Sequence, residues 1–190
     1  MTAVQNETQR PAPGSHFADP GPLGLAAFAM TTFVLSFVNT GLWKAEPVVF
    51  GLALCYGGLT QLVAGIWEFA KGNTFGATAF CSYGAFWLSF WYLTGHTDLT
   101  GLVGDQAAHG VGLYLLAWTI FTAYMFVASL DTNPNLIAVF GLLTITFAFL
   151  ALGDLTTTEG LSKVGGWLGV LTALAAWYTS FVGVRASTRR

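Results

Sequence analysis

Six stretches of the chain are apolar almost throughout, and short polar breaks separate them. They cover residues 23–42, 47–69, 74–94, 107–130, 134–153 and 161–184. Each comes close to the ~20 residues that carry an α-helix across a bilayer. Strands of a membrane β-barrel are about half as long and alternate strictly between apolar and polar positions. These stretches do not alternate, so the pattern predicts an all-α integral membrane protein with six transmembrane helices. Residues 19–184 form the membrane domain. Residues 1–18 are polar, carry Pro11 and Pro13, and lack the apolar core of a signal peptide, so they are expected as a disordered tail. Residues 185–190 are expected as a short basic tail.

Composition sharpens this reading. The chain is 54% hydrophobic and 8% charged, against roughly 25% charged in average soluble usage. Too few charges are present to cover a soluble surface, so lipid must solvate most of the outside. A net charge of −2 offers no basic stripe for nucleic acid. Lys and Arg favour the cytoplasmic side of a membrane. With six spans both termini share a side, and Arg10, Lys71, Arg185, Arg189 and Arg190 fall there. Lys44 and Lys163 fall opposite, which puts both termini in the cytoplasm.

Little in the chain suggests an enzyme or a cofactor. Cys55 and Cys81 lie inside apolar runs, where packing is their ordinary role. His16, His96 and His109 are scattered without metal-ligand spacing. No phosphate loop or nucleophile elbow is present. No cofactor, metal or nucleic-acid partner is expected. The membrane bundle must itself carry the function.

Polar groups inside lipid are costly, so their placement is informative. In the first span Phe28, Thr32, Leu35 and Asn39 share one helical face. In the second, Gly57, Gln61, Gly65 and Glu68 do. Tyr83 lies beside Ser82 in the middle of the third. Leu136, Phe140, Leu143, Phe147 and Leu150 make an apolar stripe in the fifth that ends at Asp154. Gly165, Gly169, Ala173 and Ala176 recur along the sixth. Small residues at this spacing usually mean close helix packing, isolated hydroxyls usually bond their own backbone, and an apolar stripe is usually core. Asn39 and Gln61 read either as solute ligands or as packing amides. Glu68 reads either as a path residue or as an interfacial partner of Lys71. With no Asp, Arg or Lys at mid-span, a passing solute must be small, and neutral or a weakly held monoanion. Phe28, Tyr83 and Leu143 supply side chains for a narrow apolar gate.

The first span opens with Asp19-Pro20-Gly21-Pro22-Leu23-Gly24-Leu25. Pro22 suits the first turn of a helix, whose free N–H groups attract a small anion. This segment closely resembles the Asn-Pro-x-Pro-Leu-Gly-Leu signature of the acetate uptake (succinate–acetate permease) transporter family. Further blocks are similar to that family in order: Met30-Thr31-Thr32, Tyr56 through Gly65 with Glu68, Lys71 through Gly76 continuing to Ser82-Tyr83-Gly84-Ala85-Phe86-Trp87, and Phe147 through Gly153. The resemblance implies a homohexamer with one path through each protomer. It also implies plasma-membrane uptake of acetate, related short carboxylates and succinate, with protons as a candidate co-substrate. It places the narrowest point at Phe28, Tyr83 and Leu143, the last by a looser alignment. Asp19, Leu23, Gly24, Thr31, Thr32, Asn39, Gln61, Glu68 and Ser82 are then expected along the path. Asp19 replaces the family Asn: it can still cap the helix, but it sets a negative charge where a carboxylate would enter. Two alternatives stand beside this reading, a channel for a neutral solute such as urea or ammonia, and a membrane scaffold that transports nothing.

Overall fold

The computed structural model describes residues 17–189. Every element among the described residues is helical. Helix α1 covers Gly21–Asn39. The second span, Glu46–Lys71, is compound. A 3-10 turn, Glu46–Val49, leads into α2, Phe50–Leu54, and a π turn, Cys55–Thr60, joins α2 to α3, Gln61–Lys71. Helix α4 covers Thr74–Gly95. The short α5, Leu99–Val103, and a 3-10 turn, Gly104–Gln106, lead into α6, Ala107–Ser129. Helices α7, Pro134–Leu155, and α8, Glu159–Thr188, complete the bundle.

Five of the six expected spans form helices long and apolar enough to cross a membrane. The sixth, α4, has 22 residues, or about 33 Å of helix at 1.5 Å per residue. Its Trp, Tyr, Ser and Thr side chains lower its mean hydropathy. Tyr83, Phe86, Trp87 and Phe90 are all buried. At the C-terminal end the helix does not stop at 184 but carries Arg185 on to Thr188. The tail expected over 1–18 lies outside the described residues except for Phe17 and Ala18, and the Phe17 ring sits 5.3 Å from that of Trp67.

Local sequence sets the helix ends. Asn73, Asp98 and Asn133 each accept an N–H from the first turn of the helix they precede, at 2.9–3.1 Å, which satisfies a donor the helix cannot. Pro22 and Pro134 occupy first-turn positions. Gly72 ends α3 at φ +82°, a left-handed conformation that suits glycine. Helix α8 packs against both α1 and α7, α6 against α7, and α3 against α4. The small residues of the last span serve this packing: a Cβ on Gly166 would lie 2.5 Å from the Thr40 backbone nitrogen. The core between these helices is largely aromatic. Phe86 alone meets Trp87, Trp118 and Phe147 edge-on at ring-centroid distances of 5.0–5.3 Å, the geometry favoured by aromatic quadrupoles.

Candidate functional site

Two cavities enter the bundle from opposite ends. The first, about 400 Å³, is lined by the start of α1 (Gly21, Pro22, Leu25, Phe28), by α3 and α4 from Gln61 to Tyr83, by the start of α7, and by the end of α8. The second, about 430 Å³, takes the other half of each shared element: α1 from Phe28 to Asn39, α4 from Phe86 to Thr94, and α7 from Leu143 to Asp154. Among the described residues only Phe28 and Leu143 line both. Both side chains are buried, so the wall between the cavities is thin and apolar.

The apolar stripe of α7 explains this arrangement. Leu136, Phe140 and Leu143 face the first cavity, while Leu143, Phe147, Leu150 and Asp154 face the second. One helical face thus walls both, with Leu143 at the join. Tyr83 adds its ring from α4, 5.7 Å from Phe28 and 6.2 Å from Phe140. Its hydroxyl is 2.9 Å from that of Thr122 on α6.

At the mouth of the first cavity the ion pair is not the Lys71–Glu68 pair that one sequence reading gave. Lys71 donates to Asp19 Oδ1 at 2.7 Å, and the same oxygen accepts the Gly21 N–H at 3.1 Å. The first turn of α1 is therefore met by an acid whose charge is balanced by a cation. Glu68 is no snorkelled surface group: it is 1% exposed, lines the cavity, and accepts Asn73 Nδ2 at 2.8 Å. Asn73 joins the two ends of its short loop, bonding Glu68 with its nitrogen and capping α4 with its oxygen.

Deeper in, Gln61 is fully buried and lines the same cavity, and neither its amide nitrogen nor its oxygen has a protein partner. Buried amides are nearly always bonded, and an unmet polar atom costs about 1–3 kcal/mol. Gln61 is the first residue after the π turn, a feature that recurs at functional sites. The second cavity holds similar groups. Thr32 Oγ1 and Trp87 Nε1 are buried without partners, and both residues line it. Asn39, Glu46 and Asp154 line it as well.

The expected path residues divide accordingly. Asp19, Gln61 and Glu68 reach the first cavity, Thr32 and Asn39 the second. Leu23 is 43% exposed, Gly24 packs against the Phe80 ring, Thr31 bonds the Ala27 carbonyl at 3.0 Å, and Ser82 is half-buried; these four line neither cavity. The sequence reading missed Lys71 as a partner of Asp19, Asn73 as a brace, and Trp87 as a cavity residue. Trp87 was within reach of pattern reasoning, one helical turn beyond Tyr83 on the same face.

Five helices long and apolar enough to cross a membrane, a sixth of spanning length, and two polar-dotted cavities separated by a few apolar side chains define a multi-pass membrane protein built like a channel or carrier. The chain belongs to the GPR1/FUN34/yaaH family, whose profile matches residues 2–189. It is 44% identical over 187 residues to Ammonia transport outward protein 2 of Saccharomyces cerevisiae, covering 92% of this chain and 64% of the yeast protein's length. It is 39% identical over 161 residues to the Succinate-acetate/proton symporter SatP of Escherichia coli, covering 85% of each. Its fold matches the solved structure of the bacterial acetate channel SatP with a TM-score of 0.83 and 36% identity, over 90% of this chain and 94% of the other.

Proposed function

We propose that this protein carries acetate and related short monocarboxylates across the plasma membrane, as a homohexamer with a separate path in each protomer and both termini in the cytoplasm. The observation that carries the reading is the pair of cavities sharing Phe28 and Leu143. Together with Tyr83 these side chains form the narrowest point of the path. The SatP relatives, named for acetate and succinate, support the substrate class, and succinate is a second candidate.

The chemistry follows from the lining. A carboxylate enters at the mouth lined by Lys71 and the start of α1, where the ammonium and the positive end of the helix dipole both attract it. The unpartnered amide of Gln61 offers it a donor. An apolar neck disfavours charge, so it raises the pKa of a passing acid above the usual value of roughly 4. The solute therefore crosses the neck as the neutral acid, or as an anion accompanied by a proton. Unpartnered Thr32 Oγ1 on the far side receives it.

Flux of labelled acetate into liposomes holding the purified protein, with and without a pH gradient, tests this. Uptake blocked by propionate and not by urea is the expected result, and absence of flux points to a non-transporting scaffold. A second reading, ammonia permeation, is favoured by the name of the yeast relative and by the scarcity of charge at the neck. Ammonium-driven pH change in the same liposomes without acetate flux selects it.

A further inference from the structure

We propose that Thr122 on α6 is a positioning residue that sets which face of Tyr83 a passing solute meets, and through it the discrimination against hydroxylated acids. The inference rests on the transport reading above.

The argument begins with how the threonines of this bundle use their hydroxyls. Thr31, Thr119, Thr144, Thr172 and Thr179 each donate to the carbonyl one turn back in their own helix, at 2.7–3.0 Å. That local bond is the ordinary choice of a threonine in a membrane helix. Thr122 is fully buried and bonds instead across to Tyr83 of α4, at 2.9 Å. The phenol oxygen is the one polar atom of a ring otherwise wrapped by aromatic neighbours. The ring centroids of Phe28, Phe121 and Phe140 lie 5.4–6.2 Å from that of Tyr83. With its hydroxyl held on α6, Tyr83 turns an apolar surface toward the first cavity, which it lines. Without Thr122 the hydroxyl would be left unmet in the core, and the open side is the cavity that also holds the unpartnered amide of Gln61. The neck would then present a hydroxyl where it now presents carbon.

Lactate and propionate differ by one hydroxyl on a three-carbon acid, so the ratio of their uptakes reads this change. In Thr122→Val, which keeps the shape and removes the hydroxyl, the lactate-to-propionate ratio in liposomes rises by roughly two- to tenfold, the equivalent of one net hydrogen bond. Thr122→Ser restores the original ratio, and Tyr83→Phe combined with Thr122→Val abolishes the rise. An unchanged ratio in folded Thr122→Val, or a rise that persists without the Tyr83 hydroxyl, overturns the proposal. If Thr122→Val fails to accumulate, recovery of its abundance by Tyr83→Phe supports the pairing, and failure to recover overturns it. A wild-type protein that moves neither acid refutes the transport reading instead, so the two failures are distinguishable.

Discussion

Replacing Asp19 by Asn removes one negative charge from the mouth of the first cavity and leaves the shape almost intact. The amide oxygen still accepts the Gly21 N–H, so α1 keeps its start. What changes is Lys71. Its ammonium now lies 2.7 Å from Asp19 Oδ1 and loses that partner, so the mouth gains one unit of net positive charge. The size of the effect depends on solvent. Two unit charges about 4 Å apart interact by about 1 kcal/mol in water and about 4 kcal/mol at an effective dielectric of ~20. The Asp19 and Lys71 side chains are 52% and 33% exposed, which places the site near the watery limit, where such pairs give about 0.2–1 kcal/mol. A carboxylate arriving at the freed ammonium gains the same amount. Acetate affinity from this side should therefore tighten by about 1.4- to fivefold at low salt. The gain should shrink at 0.15 M salt, where the Debye length is only ~8 Å. Binding measured from that side at two ionic strengths checks the prediction, and Lys71→Gln should move affinity the other way. Equal affinity in all three proteins at both salts would refute the reasoning and leave Asp19 as a helix cap alone.

Other outcomes follow from the same geometry. Leu143→Ala thins the wall shared by the cavities, and uptake of lactate or succinate should rise relative to acetate in a competition assay. Gln61→Leu removes two unpartnered polar atoms, so acetate flux should fall several-fold while thermal stability in detergent holds or improves. Loss of assembly with normal flux per assembled protein would make it a packing residue. Gly65→Val drives a Cβ to 2.6 Å from the Cys81 backbone nitrogen, and should cost at least the about 1–3 kcal/mol typical of overpacking, read as a lower unfolding temperature. Gly51→Ala, with nothing within 4 Å of its Cβ and helical backbone around it, should hold or slightly raise that temperature.

The spans were legible because lipid imposes one demand throughout: long apolar runs with few charges. Even α4, dense in Trp and Tyr, reads as a span by length. That Leu136, Phe140, Leu143 and Phe147 line the cavities along one face was reachable from the α7 stripe, since side chains one turn apart on one helix share a face. Only the resemblance brought Phe28 and Tyr83, from other helices, beside Leu143. The Lys71–Asp19 bond was not, because 52 residues separate the partners and Glu68 is the nearer acid in sequence. Nor was the π turn, whose glycines sit under neighbouring helices: a Cβ on Gly57 would lie 2.6 Å from Thr31 Oγ1. The isolation of Gln61 is likewise a property of what surrounds it. Local pattern shows where an amide is, and only the packed bundle shows that nothing meets it.

The π turn gives the second span an unusual relation between length and orientation. An α-helix turns ~100° with each residue, whereas a π turn bonds one residue further along the chain, as Thr60 Oγ1 also does in reaching the Cys55 carbonyl. Gln61 and Glu68 therefore owe their heading to a one-residue surplus between 55 and 60. Winding the same residues as continuous α-helix would swing α3 by about 100° about its axis and point both side chains away from the cavity. Deleting one residue instead removes the surplus and lets α-helix form with α3 near its present heading. In this segment residue count acts as an angle: a one-residue deletion within 55–60 should leave Gln61 facing the cavity, where the same deletion in α2 would turn it away.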